Sequence, residues 1–105
     1  MNKYKIITIK IFEEEFESLL QYLSFFLKEQ RITKKIYNKI LFEISKLEYF
    51  PERNPQILYF SSKYKKILRK LLVSNYIIIY EINHLKKEIY ILHIFQNKQN
   101  YYYKL

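Results

Sequence analysis

Residues 67–82 read ILRKLLVSNYIIIYEI, and the fold turns on how this run is divided. Ser74-Asn75 is its one turn-forming pair, so a mixed basic and apolar strand should end there and a return strand, YIIIYEI, should begin. The return strand is apolar on both alternations until Glu81. Such a strand has both faces covered, or keeps one face open for a partner. With Glu81 turned to solvent, alternation places Ile77 and Ile79 beside it on the open face.

Further strands follow from the same pattern. They are expected over 64–73, 75–83 and 87–95, with a second turn at Asn83-His84. The chain contains no glycine, so asparagine is the residue expected to take a positive φ at these turns. Upstream, PERNPQILYFSSK at 51–63 carries two prolines and polar clusters and reads as a loop, with QILYF able to form a short extended piece.

Before that loop the period becomes helical. Ile36, Ile40, Leu41, Ile44 and Leu47 form one apolar stripe, with Thr33 as the expected N-cap. Phe12, Phe16, Leu19, Leu20, Leu23 and Phe26 or Leu27 form another, headed by Glu13, Glu14, Glu15 and Glu17, where the helix dipole favours anions. KEQR at 28–31 separates the two helices, and Tyr4 to Ile11, rich in β-branched residues, reads as a strand. The order is β-α-α-β-β-β. It defines an α+β fold in which a helical hairpin covers one face of a curved antiparallel sheet.

At 105 residues the chain fits one domain spanning 1–105, with a single core. Half the residues are apolar, which excludes disorder arising from low hydrophobicity. The absence of cysteine excludes disulfides, thiolate zinc sites and cysteine nucleophiles. Lys10 and the glutamates after it interrupt the N-terminal apolar run, unlike a signal peptide, and SLLQYLSFFL at 18–27 is too short to span a bilayer. A cytoplasmic protein with no membrane partner is expected. Nothing resembles a metal site, a glycine-rich phosphate loop or a nucleophile triad, and no cofactor is expected.

The formal net charge is +9. Its value as evidence is reduced because the chain lacks Gly, Ala, Asp and Trp and is rich in Lys, Ile, Asn, Tyr and Phe, as in proteins from very AT-rich genomes. Distribution is more telling. Residues 1–50 carry nine Lys or Arg against seven Glu, and residues 51–105 carry ten against three. A basic second half attracts phosphate or an acidic polypeptide.

Several stretches together resemble the RelE/ParE superfamily of bacterial type II toxins, which includes proteins of the plasmid stabilisation type. They are the N-terminal strand, the helical hairpin ending in FPERNP (50–55), KYKKILRKLLVSNYIIIYEI (63–82) and EIYILHIFQNKQNYY (88–102). Leu71, Val73, Tyr76 and Tyr80 carry the most specific part, and QNKQNY (96–101) is similar to the common H-G-R-x-x-Y ending. The resemblance implies a small basic toxin neutralised by an acidic antitoxin. It also implies one of two targets. RelE-like members cleave mRNA on the ribosome without metal, whereas ParE-like members poison DNA gyrase by binding it.

Carried onto this chain, the resemblance gives Arg69, Lys98, Tyr101 and His93 as catalytic candidates if the protein is a nuclease. Arg69, Lys70, Ile77, Ile79, Lys98 and Tyr101 become candidates for antitoxin or target binding. The nuclease pattern is incomplete. Leu71 stands where a second lysine is expected, Ile77 stands where an arginine is common, Lys98 replaces the tail arginine and Gln96 replaces the tail histidine. Lysine stabilises an oxyanion but cannot reproduce the two-pronged geometry of guanidinium, and Lys65, Lys66 or Lys70 would have to compensate. The expectation is therefore a toxin acting by binding, on gyrase, with ribosome-dependent mRNA cleavage as the alternative and a basic nucleic-acid-binding module or inactive toxin as a third reading. Bland readings stand beside the sharp ones: Arg69 as a plain surface or salt-bridge residue, His93 as a half-buried strand residue with a satisfied ring, and Tyr101 to Tyr103 as rings packed on the sheet.

Overall fold

The computed structural model describes residues 3–57 and 67–96. The elements are β1 (Lys5–Thr8), α1 (Lys10–Leu27), α2 (Gln30–Ser45), a 3-10 turn (Lys46–Glu48), β2 (Leu68–Val73), β3 (Tyr76–Asn83) and β4 (Glu88–Gln96). Two helices pack on a four-stranded sheet of order β1-β4-β3-β2. The α+β class and the element order match the sequence reading.

The sheet is mixed, because β1 runs parallel to β4, with Lys5 opposite Glu88 and Thr8 opposite Ile91. The two helices carry the chain from β1 to the far edge, and β2, β3 and β4 then return antiparallel until β4 lies beside β1. β1 is shorter than expected: its ladder continues only through the Ile9 N–H, which donates to Ile91 O at 3.3 Å. Lys10 already begins α1.

The helical hairpin is tight. Lys28 adopts the left-handed conformation at φ 51° and donates its N–H to Ser24 O, so α2 starts at Gln30 instead of near Thr33. Thr33 is consequently inside the helix and buried, with Oγ1 lacking a partner. At the β2–β3 turn the positive φ falls on Ser74, at 52°, and not on Asn75. A positive φ at the first loop position alone is the type II′ pattern. In the second hairpin Lys87 takes the positive φ, and Asn83 works through its side chain, Oδ1 accepting the Lys86 N–H at 3.0 Å.

The main core lies between the helices and the sheet. Phe12, Phe16 and Leu23 of α1 and Ile40 and Ile44 of α2 meet Leu71, Val73, Tyr76, Ile78, Tyr80, Ile89, Ile91 and Ile94. A bulge in β4 sets its phase. Ile79 is opposite His93 whereas Tyr80 is opposite Ile91, leaving Leu92 as the extra residue. Past the bulge the core-facing position of β4 moves from the phase of Ile89 and Ile91 to Ile94, so that Phe95 joins Leu92 on the opposite face.

Candidate functional site

Along β2, Leu71 and Val73 belong to the helix-side core, so alternation gives Arg69 the same parity and places Lys70 with Leu68 and Leu72 on the opposite face. Arg69 therefore does not share the face of Ile77 and Ile79, and Lys70 does. The Arg69 guanidinium reaches the segment after the helices, where Nη1 donates to Asn54 O at 2.6 Å and to Glu52 O at 3.3 Å. Its Nε is buried without a partner.

Tyr80 sits opposite Arg69 across the ladder and joins the same knot. Its hydroxyl donates to Pro51 O at 2.7 Å and accepts from Asn54 Nδ2 at 3.2 Å. Burial pushes the Tyr80 phenol pKa up, against the opposing pull of the Asn54 hydrogen bond and of the Arg69 and Arg53 charges. The ERN of FPERNP is thus held to the sheet by a guanidinium and a phenol. The next residues lie along the β2 edge, with Ile57 N–H donating to Leu68 O and Lys70 N–H to Pro55 O.

This attachment closes the face expected to be open. Ile77 and Ile79 do point away from the helices, but they are only 3% and 0% exposed, packed with Ile57, Leu68 and Phe95, with Leu92 at the margin. Their reading as an exposed docking pair is overturned. The sequence pattern identified the face but gave no sign that Ile57, in a proline-flanked loop, would cover it. Glu81 is half-buried, and among the described residues Leu72 is a large apolar side chain exposed on that face, at 55%.

His93 takes the blander role. Its Nδ1 lies 3.1 and 3.2 Å from the two Glu15 carboxylate oxygens, and its ring stacks on Phe95 at 5.2 Å. Glu15 Oε1 also accepts the Ile94 N–H at 3.2 Å. β1 has ended by this point, so Glu15 satisfies the Ile94 backbone donor where the β1 ladder no longer reaches β4. An open groove of about 510 Å³ runs alongside, between Ile11, Glu14, Ser18 and Tyr22 of α1 and Ile94 and Gln96 of β4.

A second polar chain, missed in the sequence, ties the sheet's other end. Tyr4 Oη lies 2.8 Å from His84 Nδ1, and His84 Nε2 lies 3.0 Å from Glu52 Oε1. Nothing in residue spacing joins positions 4, 52 and 84. Of the remaining candidates, Lys98 and Tyr101, together with Lys65, Lys66 and the tyrosines after 101, lie outside the described residues. Among the described residues no group of three or more acidic or histidine side chains is arranged to hold a metal ion, and no helix is long and apolar enough to cross a membrane.

A helical hairpin on one face of a four-stranded β1-β4-β3-β2 sheet is a fold shared with a known structure. Among solved structures the chain is similar to one described as the archaeal RelE-RelB complex from Pyrococcus horikoshii OT3. The TM-score is 0.59, with 19% identity over 94% of this chain and 99% of that one. No family model matches the sequence, and neither does any curated protein.

Proposed function

We propose that this protein is the toxin of a toxin–antitoxin pair, neutralised by an acidic antitoxin and directed at translated mRNA on the ribosome. The observation carrying this reading is the likeness to RelE across 94% of the chain, which favours the RelE-like target over gyrase. Cleavage of that kind needs a proton removed from the 2′-hydroxyl, cationic stabilisation of the pentavalent phosphate and a proton for the leaving 5′-oxygen. Lys98 supplies the cation in this proposal and Tyr101 the proton. His93 is a poorer base candidate because Glu15 engages its ring.

The gyrase-binding reading keeps one supporting observation. Arg69, the cation expected at the nuclease centre, is committed to the carbonyls of Glu52 and Asn54, and hydrophobic Leu71 and Ile77 fill two further positions where a nuclease has cations. Mapping mRNA ends after induced expression separates the two. The expected result is codon-positioned cuts on translated messages, lost in Lys98→Ala and weakened in Tyr101→Phe. Gyrase-dependent DNA breaks with intact messages would replace mRNA cleavage by the binding reading. Arg69→Ala is unsuitable alone, since it removes a structural anchor as well as a charge. Copurification of the neighbouring gene's product tests the antitoxin.

A further inference from the structure

A cavity of about 190 Å³ lies between α2 and the β2–β3 turn. Ile36 and Ile40 of α2 wall it on one side, Val73 and Tyr76 on the other, and Ile40, Val73 and Tyr76 are buried. Its charged lining is Lys35 and Lys39, both exposed, and Ser74 closes one end with its left-handed turn at φ 52°. The two lysines are four residues apart on the helix, where like charges repel. Neither has an ion-pair partner among the described residues, and the carboxylate one turn further along, Glu43, pairs with Lys46 at 3.2 Å. Tyr76 is only 6% exposed, and its hydroxyl has no hydrogen-bond partner among the described residues either. A hydroxyl so nearly removed from water gains from any acceptor that enters the cavity.

We propose that this cavity binds a small amphipathic carboxylate, its apolar body against Ile36, Ile40 and Val73 and its carboxylate between the Lys35 and Lys39 ammonium groups, accepting from the Tyr76 hydroxyl. Charge and size select this class. Apolar walls beside two unpaired cations match a ligand that is apolar at one end and anionic at the other, whereas inorganic phosphate would leave the walls unfilled. The volume is below the roughly 300 Å³ at which drug-sized sites begin, so the body is limited to a single ring or a short branched chain. An acidic peptide inserting one side chain would lay its backbone over α2, whose interior amides are bonded within the helix, and beside a turn where Val73 already pairs with Tyr76. It would therefore lack the main-chain partners that hold extended peptides on a sheet edge.

Titration of the purified full chain with benzoate and isovalerate, followed by amide NMR shifts, tests the proposal, with benzamide as the uncharged control. Saturable shifts are expected at residues 35–40 and 73–76 with the carboxylates, and binding weaker by about tenfold or more with benzamide. Lys35→Ala/Lys39→Ala should weaken carboxylate binding by about tenfold or more, with thermal unfolding unchanged because both side chains are exposed. Tyr76→Phe, which keeps the ring, should weaken it by about threefold or more. Absence of saturable shifts with both carboxylates overturns the proposal. So does equal binding of benzamide, which would leave an apolar cavity with no preference for an anion, and so do shifts spread over lysines elsewhere and indifferent to the double substitution, which would reduce the effect to general basic charge. Saturation by an acidic peptide with a leucine or phenylalanine anchor, where the free carboxylates fail, would assign the cavity to a protein partner instead.

Discussion

Tyr80 and Arg69 show how a residue's chemistry is decided by its neighbours. The Tyr80 side chain is fully buried, its hydroxyl spends its hydrogen-bonding capacity on Pro51 and Asn54, and Arg69 spends its fork on the carbonyls beside them. A pH dependence follows. The folded-state pKa of Tyr80 lies above its ordinary value of about 10, so the stability it contributes is fully present below that value and is lost as pH rises through the folded-state pKa. Tyr76, raised by burial as well, acts in the same direction. Chemical denaturation as a function of pH should show unfolding free energy falling above pH of about 10. Tyr80→Phe should cost about 1 to 3 kcal/mol near neutrality by leaving the Pro51 carbonyl and Asn54 amide unpaired, and should make the alkaline fall shallower. An unchanged alkaline slope in that variant would locate the titration elsewhere.

Among the elements, the strands and helices were legible because their apolar periodicities differ, and the order β-α-α-β-β-β followed from that alone. Boundaries and phase were less so. Thr33 looks like a cap by type, but the left-handed Lys28 begins the next helix earlier; Ser74 takes the conformation that asparagine was expected to take, since a tight hairpin selects a loop position before it selects a residue. The bulge at Leu92 leaves no mark in ILHIF, and Ile57 gives no hint of its contact with Ile77 and Ile79 because that contact is made through a loop. Of the candidate site, the sequence identified the strands that carry it but not which face each cation takes. The second apolar cluster has a measurable consequence: Ile79→Ala should destabilise by about 2 to 5 kcal/mol, whereas Leu72→Ser, on the same face but exposed, should change stability by no more than about 0.5 kcal/mol. Urea unfolding of the two variants decides it, and equal small effects would restore the open-face reading.

For the molecule as a whole, the net charge of +9 acts at long range whatever its origin. Association with the proposed acidic antitoxin should slow markedly as salt rises from 50 to 500 mM, by about tenfold or more, with dissociation much less affected. Surface-immobilised protein and the neighbouring gene's product give both rates, and a salt-independent association rate would mean that the excess of lysine plays no part in recognition. The sheet order has a different consequence, one of timing during synthesis. β4 lies between β1 and β3, so β1 has no ladder partner until nearly every other element has left the ribosome. Glu15 likewise waits for the Ile94 N–H. The nascent chain can form its helical hairpin and its β2–β3 hairpin early, but it cannot complete a sheet. A translation product stopped before Glu88 would therefore emerge with its apolar strands uncovered and in need of chaperone protection, instead of as a smaller folded protein.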